Sequence, residues 1–181
     1  MTWRPKRRRA IRLVFLAILL PLSLQGVAQA WKNLDPRKPW PTQSNIRYGP
    51  FSRNVLDIWQ APETSEHPGP RPVVIFFHGG GFIGGDKRSV PAWLVDRCLA
   101  EGITIVSANY RLSRQSPYPS PMLDGARVIQ FLRSQASELK IDPDRIAGCG
   151  NSAGGGISLW AAFHTDLADP GSADPVLRES S

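Results

Sequence analysis

Histidine is scarce in this sequence. The 181 residues contain three, His67, His78 and His164. A serine or similar nucleophile needs a base within about 3 Å, and histidine is the side chain most often used. His67 lies in a proline-rich loop, and His78 follows a strongly apolar run. The sequence therefore offers few candidates for a general base.

Surplus charge is also scarce once the first residues are set aside. The net charge is +7, but residues 1–30 hold six of the 22 Lys and Arg residues and no acid. The rest has 16 basic against 15 acidic residues. A nucleic-acid-binding surface requires a basic patch or stripe. The sequence therefore predicts no nucleic-acid partner.

The apolar run Leu13 to Leu24 is too short to span a bilayer comfortably. It follows a basic block and precedes the small-x-small pattern Ala28-Gln29-Ala30. This arrangement predicts a signal peptide over residues 1–30, cleaved after Ala30. We therefore expect an exported protein, periplasmic or secreted, with no stable membrane span after cleavage; an uncleaved anchor is the alternative.

The chain has only two cysteines, Cys98 and Cys149. In an exported protein they could pair. Each also falls in an apolar segment, one in a predicted helix and one in a predicted strand, where a small buried hydrophobe fits. Spacing alone decides neither reading.

The remaining pattern predicts an α/β fold. Residues 31–45 form an irregular lead-in, and residues 46–181 form the folded domain. Two short β-prone runs predict an antiparallel hairpin at a sheet edge, and three continuous apolar runs predict parallel strands buried on both faces. The predicted strands are 46–48, 55–60, 73–77, 103–108 and 145–149, and the predicted helices are 90–100, 120–135 and 157–163, the second with Ser120 as N-cap. Asp142-Pro143-Asp144 is predicted as a turn. Strands alternating with helices predict a mostly parallel sheet with helices on both faces.

Gly150-Asn151-Ser152-Ala153-Gly154 lies between the last strand and the last helix. It fits G-x-S-x-G, in which a serine nucleophile stands on a sharp strand-to-helix turn. Larger residues two positions either side would collide, which explains the glycines at 150 and 154. The pentapeptide alone also fits a glycine-rich loop that matches by chance.

His78-Gly79-Gly80-Gly81-Phe82 follows the strand 73–77. A polyglycine turn can present backbone N–H groups without side chains in the way. Beside a serine nucleophile, Gly80 and Gly81 would donate to an oxyanion, with the N–H of Ala153 as a third donor. The same stretch, continued to Gly84, also matches the dinucleotide pattern G-x-G-x-x-G, but no helix start follows it.

Taken together, these motifs resemble the α/β-hydrolase family, within it the hormone-sensitive-lipase-like and feruloyl-esterase-like carboxylesterases. Asn109-Tyr110-Arg111-Leu112 and Asp142-Pro143-Asp144-Arg145-Ile146 add to the likeness, which covers about residues 46 to 170. The resemblance implies hydrolysis of a small acyl ester through a covalent acyl-serine on Ser152, with no metal or organic cofactor. It also implies that His78 and Gly79 support the oxyanion loop.

One departure from that family is large. The family order places the acid and then the histidine on later strands, yet 29 residues follow Ser152. They contain one histidine, His164, which at about 1.5 Å of rise per residue lies roughly 18 Å along the same predicted helix. We therefore expect an α/β-hydrolase truncated after the nucleophile helix, inactive alone, with the nucleophile strand at an open sheet edge.

Three other functions remain open on the sequence. The missing base fits a non-catalytic exported binding module on a hydrolase scaffold. The glycine pattern at 79–84 leaves a dinucleotide-binding protein as a more remote choice. Within the enzyme class, an amide is as good a substrate as an ester for the same nucleophile and donors.

Overall fold

A computed structural model of the chain describes residues 36–181. The predicted signal peptide and the first five residues of the lead-in, 31–35, lie outside the described residues. The end of the lead-in, predicted as irregular, already belongs to the first strand, which begins at Gln43. Within residues 36–181, no helix is both long enough and apolar enough to cross a membrane.

Within residues 36–181, five strands form one sheet in the order β1-β2-β4-β3-β5. The strands are β1 (Gln43–Arg47), β2 (Val55–Trp59), β3 (Arg71–Phe77), β4 (Thr104–Ala108) and β5 (Ile141–Gly150). β2 pairs antiparallel with β1 on one side and with β4 on the other, while β3 is parallel to both β4 and β5. The predicted edge hairpin and the predicted parallel strands are both confirmed.

In the described part of the chain four helices accompany the sheet: α1 (Ala92–Ala100), α2 (Ser120–Ser134), α3 (Ala136–Leu139) and α4 (Ala153–Phe163), with 3-10 turns at Lys87–Ser89 and Pro175–Arg178. The second predicted helix differs at its start. Pro119 rather than Ser120 is the N-cap of α2, and Pro121 lies in its first turn. Proline is tolerated there because first-turn N–H groups have no acceptor within the helix.

Two apolar clusters cover the two faces of the sheet. The larger joins alternate strand residues such as Ile75 and Val106 to Leu132 of α2 and Ile157 of α4. The smaller joins Phe76 and Ile105 to α1. Alternate side chains of one strand point to opposite faces, so strands that are apolar throughout are covered on both sides. The predicted α/β architecture is therefore confirmed.

The predicted turn at Asp142–Asp144 lies inside β5 as an irregularity. Arg71 pairs with Ile141 and Val73 with Ile146, so β5 carries extra residues between the two pairs. The Asp142 side chain accepts from the Asp144 N–H at 3.0 Å and from Arg145 at 2.6 Å. This local ring of hydrogen bonds gives the turn that the sequence indicates without ending the strand.

Both cysteines are free thiols. Cys98 is buried in the cluster under α1, and Cys149 packs against that cluster from β5. Burial raises the pKa of both thiols. They serve here as small apolar side chains.

Candidate active site

The ends of three parallel strands meet at one edge of the sheet. β3, β4 and β5 run in the same direction, so the residues that follow them, His78, Asn109 and Asn151, emerge at that edge. In open α/β sheets, ligands bind outside the carboxyl ends of the strands. The two glycine motifs singled out in the sequence both lie there.

Ser152 occupies a strained turn between β5 and α4. Its backbone has φ 50° and ψ −112°, and it precedes the first residue of α4. A positive φ is unfavourable for a residue with a Cβ and persists only where the surroundings impose it. Ser152 is exposed, and its hydroxyl makes no hydrogen bond within the described residues. The side chain is thus presented to solvent at the strand ends.

Close packing under the turn accounts for the two flanking glycines. A Cβ on Gly150 would lie 2.3 Å from the carbonyl oxygen of Phe77, and one on Gly154 would lie 1.9 Å from the same atom. The Cβ on Gly150 would also lie 2.6 Å from the carbonyl carbon of Gly154. These contacts are with backbone, which cannot move aside cheaply. The turn can form only with glycine at both positions.

The loop after β3 lies directly against this turn. A Cβ on Gly79 would be 2.9 Å from the carbonyl oxygen of Asn151, and one on Gly156 would be 3.6 Å from the Phe82 ring. Residues 78–82 therefore border the serine turn on one side and the start of α4 on the other. The structure brings together the two motifs that the sequence separates by about 70 residues.

The proposed oxyanion donors have unused N–H groups. The amides of Gly80, Gly81 and Ala153 donate to no acceptor within residues 36–181. Gly80 adopts φ 126° while its carbonyl accepts from the N–H of Gly84 at 3.1 Å. Free amides at the start of a helix and in a tight loop are the groups that bind developing negative charge.

His78 braces the loop and is fully engaged. Its Nδ1 lies 2.8 Å from the Gly79 carbonyl oxygen, and its Nε2 lies 3.2 Å from Nη2 of Arg53. A carbonyl can only accept and a guanidinium can only donate, so Nδ1 carries the proton and the ring is neutral. Burial, with a smaller effect from the charge of Arg53, lowers the pKa of His78. The ring is committed to the loop and has no nitrogen left to serve as base.

Arg53 is the functional residue that sequence reasoning missed. It lies in the turn between β1 and β2 and donates to His78, to the Tyr110 carbonyl at 2.7 Å and to the Gly85 carbonyl at 3.0 Å. Tyr110 in turn stacks on His78 at 4.3 Å and donates to its carbonyl. No local motif marks Arg53, because its partners are distant in sequence.

His164 is the C-cap of α4, at the far end of the helix from Ser152. Its Nδ1 lies 2.8 Å from the Thr165 carbonyl oxygen, and its ring stacks on Trp160 at 4.0 Å. This is the position that the helix count predicts. Within residues 36–181, no histidine is placed to take a proton from Ser152.

The loop at 79–84 also differs from a dinucleotide-binding turn. The 79–84 glycines lead into a 3-10 turn, and α1 begins only at Ala92, so no helix N-terminus follows the pattern as a dinucleotide turn requires. Among the described residues, no three His, Cys, Asp or Glu side chains cluster as metal ligands would.

Several known proteins are similar to this chain in sequence and fold. Residues 56–173 match the family described as BD-FAE. The chain is 36% identical over 120 residues to "Probable carboxylic ester hydrolase LipM" of Mycobacterium tuberculosis (strain ATCC 25618 / H37Rv), covering 66% of this chain and 28% of that protein. It is 33% identical over 156 residues to "Esterase LipI" of the same organism, covering 82% and 47%.

A solved structure of an ester hydrolase is also similar to this chain in sequence and fold. The crystal structure of an acetyl ester-xyloside bifunctional hydrolase from Caldicellulosiruptor lactoaceticus aligns with a TM-score of 0.64 and 29% identity, over 78% of this chain and 54% of that one. The chain thus spans less than half the length of the two curated relatives. Since the family match covers more than half of the chain and the fold agrees, this chain belongs to the BD-FAE family of α/β-hydrolase esterases.

Proposed function

We propose that this chain carries the nucleophile and oxyanion hole of a serine carboxylic ester hydrolase. The observation that supports the proposal is the strained, exposed Ser152 beside free amides from two separate loops. The two relatives with 33% and 36% sequence identity are named as an esterase and a probable carboxylic ester hydrolase. The substrate is a small acyl ester, and the same chemistry would also serve an amide.

The reaction begins when Ser152 Oγ attacks the ester carbonyl. The Oγ–C bond forms, the hydroxyl proton passes to a base, and the carbonyl oxygen becomes an oxyanion held by the N–H groups of Gly80, Gly81 and Ala153. Collapse expels the alcohol, which takes up that proton, and water then hydrolyses the acyl-serine. Losing one oxyanion donor costs roughly 3–4 kcal/mol in comparable enzymes.

The base must come from outside residues 36–181. We propose that the acid and the histidine belong to the part of the relatives that this chain does not match. Without them Ser152 keeps an ordinary hydroxyl and is a weak nucleophile. We therefore expect the 181-residue chain to hydrolyse esters at most slowly. We also propose that residues 1–30 direct export and are removed after Ala30.

A fluorophosphonate probe tests the nucleophile. The probe is offered to the 181-residue chain and to a version continued downstream of Ser181, each with Ser152→Ala as control. The continued version should label at Ser152 and lose the label in the control, while the short chain labels slowly or not at all. Labelling at another residue, or none in the continued version, would refute the assignment.

A non-catalytic exported binding module is the second candidate. It is favoured by the absence of a base beside Ser152 within the described residues. The two candidates differ in the continued protein: a module would leave Ser152 unlabelled and would tolerate Ser152→Ala with no change in ligand binding.

A further inference from the structure

A cavity of about 630 Å³ lies on the α1 side of the sheet, away from the serine turn. We call it the β2 cavity, because β2 forms its floor. Its size falls within the usual range of small-molecule sites, about 300–1,000 Å³. The residues that define its chemistry are Trp40, Trp59, Asp57, Asp86, Lys87 and Arg88. None of them takes part in the proposed reaction.

One wall of the β2 cavity is apolar and aromatic. The Trp40 side chain is 90% exposed, while Trp59 is buried and donates from Nε1 to the Pro39 carbonyl at 2.7 Å. Pro36 and Pro41 extend the wall. An exposed indole face offers a flat apolar surface of negative charge density, on which polarised C–H groups can stack.

The charges around the β2 cavity are largely balanced. Lys87 and Asp57 form a buried ion pair at 2.6 Å, and Arg88 pairs with Asp86 at 2.7 Å. The remaining cation, Lys38, donates to the backbone carbonyls of Arg88 and Val90. A strongly anionic or cationic ligand would have to compete with these internal partners. The balance favours a neutral ligand.

The polar rim offers both donors and acceptors. The side chain of Arg88 is 63% exposed and that of Asp86 is 23% exposed, so both can reach a ligand without breaking their pair. Ser44 and Asn45 line the same rim and are exposed. A ligand that matches it must carry groups that donate and accept on one side and C–H groups on the other. A sugar ring has that combination.

We propose that the β2 cavity binds a neutral pyranose ring of an oligosaccharide. The ring stacks on Trp40 while its hydroxyls bond to Asp86 and Arg88. The chain links the cavity to the loop after β3: a Cβ on Gly85 would lie 2.3 Å from the Gly79 carbonyl oxygen, and the next residue, Asp86, lines the cavity. The inference does not depend on Ser152 being a nucleophile.

Binding of xylotetraose and cellotetraose to the 181-residue chain tests the proposal, followed by tryptophan fluorescence and by NMR. At least one sugar should bind saturably. Trp40→Ala should weaken that binding at least about tenfold, the equivalent of one stacking contact, and Trp40→Tyr should retain most of it. Trp93→Ala is the matched control, because Trp93 is 69% exposed on α1 and does not line the cavity.

Three results would overturn the proposal: no saturable binding of either sugar at millimolar concentration, equal weakening by Trp40→Ala and Trp93→Ala, or displacement of the sugar by inorganic phosphate. Arg88→Ala provides a second exposed variant and should weaken binding without unfolding the chain. Fluorophosphonate labelling of Ser152 is unaffected by any of these outcomes, so the two proposals fail separately.

Discussion

The interior of the sheet and its β5 edge are built differently. β3 and β4 are paired on both sides and covered on both faces, whereas β5 pairs with β3 alone within residues 36–181. Ala147 and Gly148 of β5 are exposed, and on the following helix Leu159 is 62% and Phe163 86% exposed. The proposed oxyanion loop, residues 78–82, thus follows a strand that is paired on both sides, while the serine turn follows a strand that is at the edge within residues 36–181, as the sequence predicts.

The difference shows which half of the site is independent. His78 is buried and bonded through both ring nitrogens, so the oxyanion loop is held by the described residues alone. The turn that carries Ser152 is held by the packing of Gly150 and Gly154 against the Phe77 carbonyl, but the Ser152 hydroxyl has no hydrogen-bond partner within the described residues. Residues 78–82 are therefore held in place by the described residues, while under the proposed function activation of Ser152 would need further residues.

The largest expected effect comes from the contact that joins the end of β3 to the serine turn. Gly154→Ala places a Cβ 1.9 Å from the Phe77 carbonyl oxygen, so we expect it to lower the free energy of unfolding by about 3–4 kcal/mol. Urea denaturation measures this. Gly156→Ala, two residues along α4, meets only the Phe82 ring at 3.6 Å and should be neutral or stabilising. Equal losses would show that the serine turn is not packed as described.

The stability of the chain should respond differently when a leucine is truncated in the covered interior and on the open face of α4. Leu132 of α2 is fully buried, so Leu132→Ala should cost about 2–4 kcal/mol of unfolding free energy. Leu159→Ala on α4 should change it by less than about 0.5 kcal/mol, since most of that side chain is already in water. A large loss for Leu159→Ala would mean that the exposed face of α4 is covered in solution.

Arg53→Met tests the brace of the oxyanion loop. It leaves the carbonyls of Tyr110 and Gly85 and the Nε2 of His78 without a donor, so we expect a loss of about 1–3 kcal/mol in unfolding free energy. Arg97→Met is the control: Arg97 is 75% exposed and pairs with Glu101 on the surface of α1, where such pairs contribute about 0–1 kcal/mol. Equal effects would contradict the bracing role.

The pH dependence of stability adds a second readout for His78. Its pKa is below the ordinary 6.5 in the folded chain because of burial and, to a smaller extent, Arg53. The unfolded chain therefore binds the proton first, and stability should fall as the pH drops below about 6.5. Arg53→Met removes the positive charge, raises the pKa of His78 and should flatten this fall; 15N NMR of the imidazole follows the same titration.

The smallest expected effect concerns Asp86. Burial favours a higher value, but hydrogen bonds from Arg88 and Asn109 lower the pKa of Asp86 from 3.8 to about 2. Its contribution to stability is present above pH 3.8 and is lost as the pH falls towards 2. We expect a loss of about 1–2 kcal/mol, since the carboxylate is only half-buried. Asp86→Asn should remove this part of the acid decline, and Asp96→Asn on the exposed face of α1 should retain it.

Much of the fold could be predicted because its signals are local. The apolar runs of β3 and β4 and the glycine clusters at 79–81 and 150–154 each depend on neighbouring residues. Element boundaries were less predictable: α1 begins at Ala92 after a 3-10 turn rather than at Val90. Val90, the residue before Pro91, is extended with ψ 127° and therefore lies outside the helix, because a proline disfavours helical backbone in the residue that precedes it.

The candidate site divides in the same way. The sequence indicated Ser152, Gly80 and Gly81 from spacing, and the helix count excluded His164 as a base. It did not indicate Arg53, because that residue contacts His78 only through the pairing of β2 with β4 and of β4 with β3. The β2 cavity was missed for the same reason: Trp40 and Arg88 are far apart in the chain and meet only across the folded lead-in.

The amino-acid sequence by itself determined the apolar runs that become strands, the sharp turn at Ser152 and the family to which the chain belongs. These features follow from side-chain size and periodicity over a few neighbouring residues. Only the tertiary structure decided that His78 is a neutral brace and that a charge-balanced cavity lies beside β2. Hydrogen bonds, burial and charge pairing act between residues brought together in space, and their energies depend on that arrangement rather than on local order along the chain.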